Sequence, residues 1–227
     1  MDILECIKGR RSIRRYLDLE IPKEKIGIII EAGAMAPSSG NLQNWRFIIV
    51  KDKETRKQLA NACLQQDWMA TAPVHIVICG IDEVARQFYG IRGERLYTIQ
   101  NCAAAMQNML LTAHDLELGA CWVGAFDENM VRKAVSIPEN ARPQAIITLG
   151  IPNEIVPEPK KTDLTHLAFI EKYNNKVEDI ESVMGFYGAA MQQRLQKGKE
   201  ALDKTGAHLG KHGKRILEKI KEKINKR

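Results

Sequence analysis

The sequence lacks any C-x-x-C pair, and no metal site is expected in it. Its five cysteines, at 6, 63, 79, 102 and 121, are odd in number and sit mostly among apolar neighbours. This argues against a disulfide framework and predicts reduced, buried thiols. A cysteine nucleophile needs a histidine beside it, and only His75 and His114 lie well inside the body, neither in a recognisable motif. No triad or carboxylate pair stands out. No apolar run reaches the roughly 18 residues that cross a bilayer. The start, Met1-Asp2-Ile3-Leu4-Glu5, is acidic where an export signal is basic and then apolar. A cytoplasmic address is expected. No G-x-G-x-x-G follows a strand pattern and no G-x-x-x-x-G-K-[ST] is present, which speaks against a Rossmann dinucleotide site and a P-loop.

Positive charge is also scarce where the chain should fold. The net charge is +6, yet residues 185–227 alone carry +8, which leaves the first 184 residues at −2. Aromatic residues are absent beyond Tyr187, so the basic tail has no platform for stacking bases, and nucleic acid is disfavoured as its partner. Its end, Lys214–Arg227, puts Ile216, Leu217, Ile220 and Ile224 on one helical face. An anionic membrane surface is one partner that residues 185–227 could meet, and a solvated extension is the bland alternative.

What is present is an alternation of helix and strand patterns in 227 residues, 44% hydrophobic and 27% charged, enough for one full core. Asp2 caps a short helix over Ile3–Ile7, and Pro22 opens a helix that ends before Pro37. Residues 46–50, 74–79, 120–123 and 145–150 read as strands. Residues 53–65 read as a helix, and 82–95 as a short helix and a mobile loop broken at Gly90 and Gly93. The longest helix is expected at 94–118, with Ile99, Ala103, Met106, Leu110 and Ala113 facing inward and Gly119 as its stop. Asp127 caps one more helix. Residues 151–161 carry three prolines and read as an extended arm.

Two polar stretches carry the chemistry. Residues 10–15 hold four arginines and one hydroxyl. In an extended segment Arg10, Ser12 and Arg14 fall on one side, a row suited to a phosphate, its linker and a ring beyond; a solvated basic turn is the other reading. The second stretch runs from Pro37 to Trp45 and contains Ser38-Ser39-Gly40-Asn41.

Arg10-Arg11-Ser12-Ile13-Arg14 followed by Ala36-Pro37-Ser38-Ser39-Gly40-Asn41-Leu42-Gln43-Asn44-Trp45 resembles the nitroreductase family of FMN-dependent oxidoreductases. Weaker landmarks follow in the family's order: Gln107-Asn108-Met109-Leu110-Leu111, Leu118-Gly119-Ala120-Cys121-Trp122, Leu149-Gly150-Ile151-Pro152 and Lys160-Lys161. The resemblance implies an α+β fold, a mixed central β-sheet flanked by helices, built as a homodimer with FMN at the interface. It implies a domain over 1–175 and leaves 176–227 as a basic, partly amphipathic extension.

By the same resemblance, Arg10, Arg11 and Ser12 contact the FMN phosphate and ribityl chain, and Arg14 lies at the pyrimidine end. Pro37, Ser38, Ser39 and Asn41 form the loop that reaches FMN from the partner subunit. Gly124 offers its backbone N–H near flavin N5, and Lys160 and Lys161 are phosphate cations. No side chain is expected to be catalytic, because the flavin carries the redox chemistry. The implied activity is ping-pong reduction of nitroaromatic, quinone or similar conjugated acceptors, with NADPH or NADH as donor and hydride passing through N5. Two departures stand out: Asn44 occupies a position where the family often has proline, and Lys161 one where arginine is common. Residues 82–97, with Arg86, Phe88, Tyr89, Arg92 and Arg95, are the expected lid. A flavin-binding carrier or sensor, or a membrane-surface protein using its tail, is the alternative.

Overall fold

The computed structural model describes residues 2–178, so the basic tail lies outside the described residues. The chain divides into two compact units, Met1–Glu158 and Pro159–Arg227. In the second, the described part holds a 3-10 turn over Leu164–His166 and a bridge between Phe169 and Lys176.

The first unit is a four-stranded sheet between two helical layers. Its strands are β1 (Trp45–Val50), β2 (Val74–Gly80), β3 (Gly119–Val123) and β4 (Arg142–Gly150), in the order β1-β2-β4-β3, and every named pair is antiparallel. Beside this sheet, an isolated parallel bridge joins Ser12 to Ala120. All seven residues of β2 are buried, because both faces of the sheet are covered. Ile76, Ile78, Ile147 and Leu149 face α2 (Lys23–Ala34) and α5 (Thr98–Asp115), where they meet Ile26, Ile29, Met106 and Met109. Val77, Cys79 and Ile146 face the opposite layer and pack with Leu59 of α3 (Lys53–Ala62) and Val131 of α6 (Glu128–Ala134). This is the period-two alternation of a strand made visible in its two cores.

The short helix α1 (Ile3–Gly9) has the expected cap, with Leu4 donating to the Asp2 carboxylate at 2.8 Å. Asp52 and Asp127 cap α3 and α6 in the same way. The expected lid differs from its reading. Residues 82–97 are helical, as α4 (Asp82–Arg92) with a kink at Gly90 and then a π turn over Gly93–Tyr97. The long helix therefore starts at Thr98, later than expected. Its stop also lies elsewhere: α5 ends at Asp115, and Glu117 takes the left-handed conformation with φ 62°. Gly119 is already the first residue of β3. Met106, Leu110 and Ala113 are buried as expected, whereas Ile99 is exposed, and Thr98, Asn101, Cys102, Ala105 and Met109 join the buried stripe.

All five cysteines are free and buried. Burial pushes the Cys63 and Cys102 thiols up to about 12 and Cys79 to about 11, so none of these is a ready thiolate. His75 is fully buried on β2, and its Nε2–H donates to the Met69 carbonyl at 2.8 Å. Burial, with Arg56 near by, lowers its pKa from 6.5 to about 4. Between those values the unfolded chain holds a proton that the folded chain does not, so stability rises with pH across the window and is lost as pH falls through it. Urea unfolding at pH 5 is expected to give a free energy roughly 2 kcal/mol below that at pH 7. His75→Gln is expected to flatten that part of the profile.

Candidate functional site

The arginine segment leaves α1 and lies along β3. Ser12 bridges Ala120, and the Ile13 amide donates to the Ala120 carbonyl at 3.0 Å. Further on, Leu17 donates to Ile151 and Asn153 donates to Arg15, both at 2.9 Å. The Glu154 carboxylate accepts from the backbone amides of both Arg14 and Arg15. Residues 151–156 are thus packed, not a free arm, and Val156 rests on the small cluster of Ile13, Tyr16 and Ala72. Proline-rich spacing concealed this, since the segment pairs by single bridges instead of a ladder.

Two glycines make the docking possible. Gly119 and Gly150 are directly paired across β3 and β4. A Cβ on Gly119 would stand 2.9 Å from Ile13 Cγ2, and one on Gly150 would stand 2.5 Å from the Tyr16 ring. The paired glycines form a bare patch on the sheet onto which Ile13 and Tyr16 are laid. Tyr16 is held further by its hydroxyl, which donates to the Ile13 carbonyl and meets Thr148 Oγ1 at 2.7 Å. Burial raises its pKa strongly, so that hydroxyl keeps its proton.

Burial raises the Cys121 thiol, while the Arg14 charge, the Ser12 hydroxyl bonded to it and the Arg10 charge all act to lower it. Arg10, Ser12 and Arg14 thus all act on the Cys121 thiol. The Arg14 guanidinium lies over the Trp68 ring, 5.8 Å from its centroid. Arg11 is spent differently: its guanidinium donates to the Lys8 and Arg10 carbonyls at the end of α1, and its Nε is buried with no partner.

The second stretch forms a tight exposed loop. Gly40, Asn41 and Gln43 have φ of 54°, 56° and 46°. The Gln43 amide donates to Ser38 Oγ at 3.0 Å, and its side chain donates to Asn41 Oδ1 at 3.0 Å. Pro37 and Asn41 are exposed, and Ser38 and Ser39 half-buried. The loop rests on Asn101 of α5, which accepts from the Ser39 amide at 2.9 Å. The Tyr89 hydroxyl lies against Gly40. Among the described residues no hydrogen bond joins 10–16 to 37–41 within the chain. Gly124 is exposed just beyond β3, and Lys160 and Lys161 are exposed in the second unit. Asn101, Trp68 and Glu154 escaped the sequence reading, and Asn44 was noted only as a departure from proline; the one signal for Asn101 was a polar residue inside an apolar helical stripe. A groove of about 320 Å³ beside Arg46, Ile48 and Ile137 contains none of these residues. No cluster able to hold a metal ion is found among the described residues.

The sequence profile of the Nitroreductase family matches residues 7–151, a span that holds both polar stretches, the glycine pair and the whole sheet. The chain belongs to the nitroreductase family. A relative from Methanothermobacter thermautotrophicus is 39% identical over 158 residues, covering 68% of this chain and 79% of its own. The NADPH-flavin oxidoreductase of Vibrio harveyi is 27% identical over 233 residues, covering 97% and 96%. Among solved structures, an FMN-dependent nitroreductase from Clostridium difficile superposes with a TM-score of 0.62 at 29% identity, over 76% of this chain and 99% of its own. These nitroreductase-fold neighbours share the α+β sheet with flanking helices. No helix among the described residues is long and apolar enough to cross a membrane.

Proposed function

We propose that this nitroreductase-family chain is an FMN-dependent NAD(P)H oxidoreductase, a homodimer that reduces nitroaromatics, quinones and similar conjugated acceptors. What supports the cofactor assignment is the donor set on the glycine patch. Arg10 and Arg14 form no ion pair among the described residues, and the nearby Glu154 carboxylate is turned to backbone amides. The segment keeps two guanidiniums for an outside anion, which fits the phosphate of FMN. The Vibrio and Clostridium relatives, named for flavin and FMN, agree with this. FMN, when bound, carries the electrons between nicotinamide and acceptor.

The chain's own residues bind and orient. Arg10 and Ser12, with Arg11 beside them, would hold the phosphate end. Arg14, steadied on Trp68, faces the pyrimidine end and favours negative charge on that side. The Pro37, Ser38, Ser39 and Asn41 loop comes from the partner subunit, and Gly124 presents its backbone N–H. Exposed apolar residues on α1, α2 and α5, among them Ile3, Ile7, Ile28 and Ile99, give the partner a surface to cover.

The deciding experiment is an absorbance spectrum of the purified protein, then anaerobic addition of NADPH and NADH in turn. Flavin bands that bleach are expected. A colourless protein that takes up no added FMN would refute the assignment. Donor choice has its own candidate. Arg86 is 3.5 Å from Glu94, whereas Arg92 donates to the Tyr97 hydroxyl at 3.0 Å and lies over its ring. Arg92→Ala is expected to raise KM for NADPH relative to NADH by roughly tenfold, the value of one charge-assisted hydrogen bond, in steady-state assays with both donors.

A further inference from the structure

Three polar side chains are almost wholly buried beneath the Ser38–Asn41 loop: Asn44 at 1% exposure, Asn101 at 4% and Thr98 at 0%. Asn101 Oδ1 accepts from the Ser39 amide at 2.9 Å. Its Nδ2 donates to Ser39 Oγ at 3.1 Å and to Asn44 Oδ1 at 2.8 Å. Asn44 Nδ2 donates to Thr98 Oγ1 at 2.9 Å and to the Ile81 carbonyl at 3.1 Å. The Ile81 amide returns a bond to the Asn44 carbonyl at 2.7 Å. Thr98 Oγ1 donates to the Gly93 carbonyl at 3.2 Å.

Both amides have one self-consistent orientation. Turning Asn101 over would set its NH₂ against the Ser39 N–H, and turning Asn44 over would set two NH₂ groups together. The loop above depends on this. Asn41 and Gln43 hold left-handed backbones that side chains other than glycine adopt at a penalty, so surrounding contacts must hold them there. The Ser39 amide and hydroxyl are the points where those contacts enter. Asn101 stands on α5 and Asn44 at the foot of β1, so the network transfers the rigidity of a helix and a strand to an otherwise exposed turn.

We propose that Asn101, acting with Asn44, is a positioning residue that sets the Ser38–Asn41 loop for the cofactor. The proposal rests on the reading that this loop meets FMN. Asn101 acts through Ser39, and Asn44 acts through Asn101.

The test is a double-mutant cycle on FMN affinity of the full chain, read by flavin fluorescence, with Asn101→Ala, Asn41→Ala and the pair. Asn44→Ala breaks the same network from its other side and serves if Asn101→Ala does not fold. Circular dichroism sets a temperature at which every variant is folded. Asn101→Ala is expected to raise the FMN Kd at least tenfold, Asn41→Ala to raise it comparably, and the double variant to be no more than about threefold weaker than the weaker single one. A residue that only stabilises the fold would instead lower the unfolding temperature and leave Kd unchanged, or multiply with Asn41→Ala. Either result overturns the proposal while the cofactor reading stands. If Asn41→Ala and Arg10→Ala both leave FMN affinity unchanged, the cofactor reading fails and the proposal goes with it.

Discussion

Gly150→Ala is expected to lower the unfolding free energy by about 3 kcal/mol, near the upper end for overpacking a rigid interior. The added Cβ would stand 2.5 Å from Tyr16 Cδ1 and 2.8 Å from Pro73 Cδ, and neither ring can give way. Tyr16 is pinned at its far end by the Thr148 hydroxyl and the Ile13 carbonyl, and Pro73 by its own ring. For a chain of this size the midpoint should fall by roughly 10 °C in calorimetry. Relief has one route, lifting Tyr16 off the sheet, and that moves Arg14 and Ser12 with it. Cofactor affinity should therefore fall together with stability. Gly27→Ala is the control. Gly27 is an exposed position within α2 where a Cβ meets nothing within 4 Å. It should gain about 0.5–1 kcal/mol, because alanine restricts the unfolded chain more than glycine does. A Gly150→Ala protein as stable as the parent would mean that the patch is not what seats the arginine segment.

Arg10→Ala is expected to raise the FMN Kd between about 10- and 100-fold, the loss of one or two charge-assisted hydrogen bonds to a phosphate. Arg10→Lys should recover part of this, since an ammonium supplies the charge without the planar fork. The parent should bind FMN more weakly as salt is raised, and Arg10→Ala should show a shallower salt dependence. Unfolding of the cofactor-free proteins should be nearly unaffected, because Arg10 forms no ion pair among the described residues. Fluorescence titration at two salt concentrations measures both. Unchanged affinity would return the segment to a solvated basic turn.

How much of this could be read from the sequence depends on whether the signal was local. The apolar runs of β2 and β4 sit in a sheet covered on both faces, so continuous hydrophobicity marked them directly. The caps at Asp2 and Asp127 were legible because a cap is settled within three residues. The end of α5 was not. Gly119 looked like a helix stop, but the turn is made by Glu117 and the glycine is needed for Ile13, a residue more than a hundred positions earlier. Likewise Arg10, Ser12 and Arg14 stood out within one short segment, whereas Trp68 beneath Arg14 and Glu154 behind it are partners that only the folded chain brings close. Asn44 was noticed as a departure from proline, yet its role needed Asn101 and Thr98, contributed by another element. The π turn at Gly93–Tyr97 still has helical composition, which is why the start of α5 was set too early.

The order in which the chain is made gives the glycine patch a further meaning. Residues 10–16 are synthesised well before their seats, which are Ala120, Thr148, Gly150, Ile151 and Glu154. The arginine segment must wait, unpaired, until nearly the whole first unit exists. Contacts of such long sequence separation form late and slowly, because the loop they close must be paid for before they return anything. A nascent or shortened chain ending before Glu154 can fold helices and still own no anion cradle. Cofactor uptake is thus a readout of completed folding, and FMN added during refolding should act on the last step, trapping finished molecules without speeding the earlier ones.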